Sequence, residues 1–65
     1  MTATYSPPQK IACLQREIAF RKRVYAKKVS DGTLLPEKAD HEIGCMTAIL
    51  RDLERLYGLT LNLNL

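Results

Sequence analysis

The chain has 65 residues, 46% of them apolar and 26% charged, and a net charge of +3. That length allows a single domain with a thin core, and so large an apolar share excludes a chain disordered throughout. No run of about 18 apolar residues is present for a membrane span, and the opening MTATYSPPQK lacks the apolar h-region of an export signal.

Residues 1–5 read as a loose arm. Ser6 then offers an N-cap, with Pro7 at the first helical position and Gln9 three residues after the cap, the Ser-x-x-Gln pattern of a capping box. The helix is expected over about 7–30. Lys27 and Lys28 suit its negative C-terminal end, and Gly32 suits a left-handed stop. Thr33-Leu34-Leu35 connects to a second helix that Pro36 opens, with Glu37 and Asp40 early in it, where carboxylates are favoured. Leu35 is a poor N-cap by residue type, so Thr33 is expected to cap through a slightly longer turn. Gly58 is the natural stop for this helix, giving a span of about 36–57. Beyond it, Leu59 to Leu65 alternates Leu with Thr or Asn at period 2, which is strand patterning. Pairing with another subunit's tail, docking over the end of the bundle, or fraying are its three readings.

The second helix carries Ile43, Met46, Leu50, Leu53 and Tyr57 at spacings of 3, 4, 3 and 4, one stripe of a lengthwise-packing helix. The first helix answers with Ile11, Leu14, Ile18, Tyr25 and Val29 in one narrow sector, and Ala12, Ala19 and Ala26 repeat along its flank. The fold expected is all-α, an antiparallel two-helix hairpin occupying residues 1–65 as one domain with an extended Leu-rich tail. Each helix has apolar residues left over. Cys13, Phe20 and Val24 form a second patch on the first helix, and Cys45, Ile49 and Leu56 sit beside the seam of the second. A lone hairpin covers one stripe per helix, so the surplus implies a homo-oligomer, first of all a dimer forming a four-helix bundle. Gly44 lies mid-helix at a cost of about 1 kcal/mol against Ala. Close approach of a neighbouring helix is its expected reason.

Charge is divided unevenly. Between Pro7 and Val29 seven bases face one acid, Glu17, for +6; between Pro36 and Tyr57 five acids face three bases, for −2. A basic helix beside a mildly acidic one favours the hairpin and leaves a positive surface for an anionic partner. Arg16, Arg23 and Lys27 share one face and are the candidate anion-binding residues, toward nucleic acid or a nucleotide. The competing reading is a solvated face paired in part with Glu17, Glu42 or Asp52.

Other chemistry is thin. His41 and Cys45 stand at i and i+4 with Glu37 one turn earlier, a spacing that can hold a metal, but one His and no Cys-x-x-Cys make a weak case and no metal or cofactor is expected. In the hairpin Cys45 lies level with about residue 21 or 22, leaving Cys13 about 12 Å further along at 1.5 Å per residue, beyond disulfide reach. Two cysteines without an export signal suggest a reducing cytoplasm. Ser6 and Ser30 read as cap or turn residues, and Gly32, Gly44 and Gly58 form no phosphate loop, so the chain is not expected to be an enzyme.

The order Arg16-Glu17-Ile18, Arg21, Val24-Tyr25, Val29, Gly32, then Lys38-Ala39-Asp40, Glu42-Ile43, Met46 and Ala48-Ile49 resembles a family of small prophage-encoded proteins. The resemblance covers about residues 16–53. It departs at Ala26, where the pattern has Pro after the Tyr; at Pro36, where it has a Thr-led helix start; and at Gly44, where Ala is usual. It implies a phage or prophage origin in a bacterial cytoplasm and no defined activity. Two function classes follow. One is a non-enzymatic interaction module that binds a host or phage protein through the second apolar patch, Cys13, Phe20, Val24, Ile49 and Leu56, and through the tail. The other is a small nucleic-acid or nucleotide binder that uses the basic helix.

Overall fold

A computed structural model describes residues 4–58. Most of the expected arm and the period-2 tail at 59–65 lie outside the described residues. Two helices make up the fold, α1 (Pro7–Ser30) and α2 (Pro36–Tyr57), with the bounds the capping signals predict. They pack against each other as an antiparallel hairpin, and no strand occurs among the described residues.

Local chemistry explains both ends of α1. Its capping box is closed in both directions: the Gln9 backbone N–H donates to Ser6 Oγ at 3.3 Å, and the Ser6 N–H donates to Gln9 Oε1 at 2.8 Å. At the other end Gly32 takes φ +79°, so that its N–H reaches the Val29 carbonyl while the Thr33 N–H reaches that of Lys28. These two bonds are the Schellman pair, which satisfies carbonyls the helix leaves open.

The start of α2 corrects the expectation for Thr33. The N-cap is Leu35, which has no side-chain cap bond, and Thr33 Oγ1 instead donates backwards to the Lys28 carbonyl at 3.2 Å. Geometry decides this: the Schellman turn already holds Thr33 over the last turn of α1, so its hydroxyl is committed before α2 begins. At the far end Gly58 stops α2 at φ +64°, its N–H bonded to the Glu54 and Arg55 carbonyls.

The core is as thin as the length implies. Among the described residues, Ile11 (0% exposed), Ile18 and Ala39 are buried. Around them Leu14, Tyr25 and Val29 of α1 and Ile43, Met46, Leu50, Leu53 and Tyr57 of α2 are half-buried, so both predicted seams meet. Register is marked at both ends. Tyr25, Val29, Ala39 and Ile43 line one groove near the turn, and Lys10 Nζ donates to Tyr57 Oη at 3.2 Å with its ammonium 5.6 Å from the ring centre at the open end.

Gly44 supplies a second correction. It is exposed, and a Cβ placed there would meet nothing within 4 Å, so no neighbouring helix of the hairpin approaches it.

Candidate interaction surface

Each helix presents a second apolar stripe outside the seam. Phe20 is 52% exposed, Ile49 48% and Leu56 73%, while Cys13 and Cys45 are exposed free thiols. Val24 differs in being half-buried; with Phe20, Arg21, Tyr25 and Lys28 it lines a shallow depression of about 250 Å³ on α1. The structure therefore leaves four of the five predicted interaction residues open to solvent in the single chain.

The two stripes belong to one side of the hairpin. On a wheel of about 100° per residue, the second stripe lies roughly 135° anticlockwise of the seam on α1 and roughly 100° anticlockwise on α2, each viewed from its own N-terminus. Antiparallel packing turns one of these views over, and both stripes then fall on the same side. The groove lined by Lys22, Ala26, Pro36 and Asp40 opens on the opposite side.

Charge surrounds the stripes unequally. Arg16 and Lys27 flank the α1 stripe on one edge, and Lys10, Glu17 and Lys28 on the other; Glu42 and Asp52 flank the α2 stripe. The ion pairs among the described residues join positions three or four apart: Arg21 Nε to Glu17 Oε1 at 2.6 Å, Lys27 Nζ to Asp31 Oδ2 at 3.5 Å, and Arg55 Nη1 to Asp52 Oδ1 at 3.8 Å. So the contrast between a basic and an acidic helix is not spent on ion pairs across the hairpin. Glu17 and Asp52 do find basic partners, on their own helices. Arg21 also donates from Nη1 to Tyr25 Oη at 3.0 Å. The Glu17 hydrogen bond, aided by that to Tyr25, holds the Arg21 pKa above its already high ordinary value.

Of the candidate anion-binding residues, Arg16 and Arg23 are exposed with no carboxylate within 4 Å among the described residues, while Lys27 shares Asp31. Glu37, His41 and Cys45 are all exposed, and no group of three or more His, Cys, Asp or Glu side chains able to hold a metal comes together among the described residues. The hydroxyl of Ser6 accepts from a backbone N–H, and those of Thr33 and Thr47 donate to backbone carbonyls. No described helix is long and apolar enough to cross a membrane.

Two exposed apolar residues were not legible in the sequence as surface features. Tyr5, assigned to the loose arm, is 61% exposed and lines a groove with Gln9, Lys10, Cys13 and Leu14; Leu35, assigned to the connector, is also 61% exposed. Tyr5 immediately precedes the N-cap, a position from which an aromatic ring can lie along the first turn, and that was the available signal. Comparison with known protein families, with curated proteins and with solved structures finds no match.

Proposed function

We propose that this chain is a small non-enzymatic accessory protein of the prophage type, acting by protein–protein association in a bacterial cytoplasm, and that its first partner is a second copy of itself. The supporting observation is the imbalance between core and surface. Three described residues are buried, whereas Phe20, Ile49 and Leu56 are exposed by 52%, 48% and 73% on one side of the hairpin. A 65-residue chain with so little core gains stability by associating. A second hairpin laid on that side would close a four-helix bundle and hide the surplus.

Phe20→Asp and Ile49→Asp test this directly. Each places a carboxylate at an exposed site that the hairpin itself does not need. Sedimentation equilibrium should show a parent dimer and variants shifted to monomer with helicity retained. A parent that stays monomeric at every concentration excludes the reading.

A second reading draws on exposed Arg16 and Arg23, which have no carboxylate within reach among the described residues. Nucleic-acid binding there would weaken steeply with salt. Reversing Arg16, Arg23 and Lys27 to Glu should abolish binding to a short RNA or DNA duplex in a gel-shift assay at low salt. Retention of binding, or no binding by the parent chain, rejects it.

A further inference from the structure

We infer that the second copy docks with its α2 against the outer stripe of α1, antiparallel, in one register set by both apolar spacing and charge. This deepens the self-association reading and rests on it. The first observation is spacing. Along α1 the stripe runs Cys13, Phe20, Val24, with steps of 7 and then 4. Along α2, read backwards, it runs Leu56, Ile49, Cys45, again with steps of 7 and then 4. Laid antiparallel, Cys13 faces Leu56, Phe20 faces Ile49 and Val24 faces Cys45 in a single alignment. Phe20 and Ile49, both large and exposed, meet at the centre.

That alignment agrees with the fold's own register. Within the hairpin, Lys10 meets Tyr57, and Tyr25 and Val29 share a groove with Ile43 and Ala39. The α1 stripe thus meets the partner's α2 within a residue or two of the level at which α1 meets its own α2. A two-fold axis parallel to the helices requires this, because rotation about such an axis preserves height. With both stripes on one side of the hairpin, the same rotation makes both α1–α2 contacts at once, so the interface closes instead of propagating.

Charge selects this pairing over the alternatives. When two antiparallel helices face each other, the edges that meet are those on the same rotational side of each stripe. Here Lys28 falls beside the partner copy's Glu42 position, and Arg16 beside its Asp52 position, each pair within one residue of level. All four side chains are exposed; Arg16, Lys28 and Glu42 are in no ion pair among the described residues, and Asp52 is in a loose one with Arg55. An α1–α1 contact would instead set bases against bases, a like-charge juxtaposition that suppresses wrong pairings. The occupant is therefore a second copy of this chain, held by an apolar strip bordered by ion pairs.

Three variants test the pairing by sedimentation equilibrium at low salt, with helicity checked by circular dichroism: Arg16→Glu/Lys28→Glu, Glu42→Lys/Asp52→Lys, and the chain carrying all four. Each two-site variant should raise the dimer Kd about tenfold or more, since like charges then line both contacts. The four-site chain restores opposite charges across the interface and should return to within about threefold of the parent. If the parent dimerises and the four-site chain is no better than either two-site variant, the α1–α2 pairing is wrong while self-association stands. Tightening by Arg16→Glu/Lys28→Glu alone would show an α1–α1 contact, and mass that grows without limit with concentration would refute two-fold closure. A monomeric parent removes the underlying reading.

Discussion

Ile11 is the residue on which the hairpin most depends. It is fully buried where Ile18 and Ala39 are nearly so, and few other side chains share the load. Ile11→Ala should cost about 3 kcal/mol, a large share of what a domain this size possesses, and should show as lost helicity at 25 °C. Gly44 carries the opposite prediction. Its sequence context suggested close packing, yet the space beside it is open, its φ is not left-handed and it is exposed. Gly44→Ala should therefore stabilise by up to about 1 kcal/mol, raising Tm by roughly 5 °C. Unchanged or lower Tm would mean that something outside the hairpin packs there. Sequence alone could not separate these cases, because a helix wheel gives the direction of a residue but not whether a neighbour occupies that direction. The same limit applied to the bases: their faces were legible, but the preference of Arg21 for Glu17 and Tyr25 on its own helix, and of Lys27 for Asp31, depends on rotamers that spacing leaves open.

Among the elements, helix ends were the most legible features, since each is written in a residue whose chemistry has few other uses. Ser6 with Gln9, Pro7, Gly32, Pro36 and Gly58 all act where their types indicate. The exception was the N-cap of α2. Thr33 has the right hydroxyl, but the Schellman turn commits it to Lys28, and Leu35 is left at the cap with no side-chain acceptor. That gap is correctable. Leu35→Asp would supply the missing acceptor and a charge suited to the helix start, at a side chain that is mostly exposed. Thermal denaturation should show a gain of about 0.5 to 1 kcal/mol, and Ser6→Ala, which opens the capping box of α1, a loss of about 1 kcal/mol.

At the level of the whole molecule, the two seams and the surplus stripes were both visible as periodicity, because apolar residues at helical spacing have no other economical explanation. Their disposition was not. That the two surplus stripes share one side follows from antiparallel packing, and that they match in steps of 7 and 4 matters only once the chain is seen to fold back at Gly32 with both helices level. On the proposed reading the partner is a second copy of the chain, its basic α1 edges set against acidic α2 edges. Salt should weaken such an association at first, by screening the edges, while leaving the apolar strip in place.

The most direct measurement is sedimentation equilibrium of the full chain over a hundredfold range of concentration, with Phe20→Asp run beside it. The parent should settle at twice the chain mass at the upper concentrations and Phe20→Asp at one chain mass throughout. A parent that remains a folded monomer across the range would contradict the account.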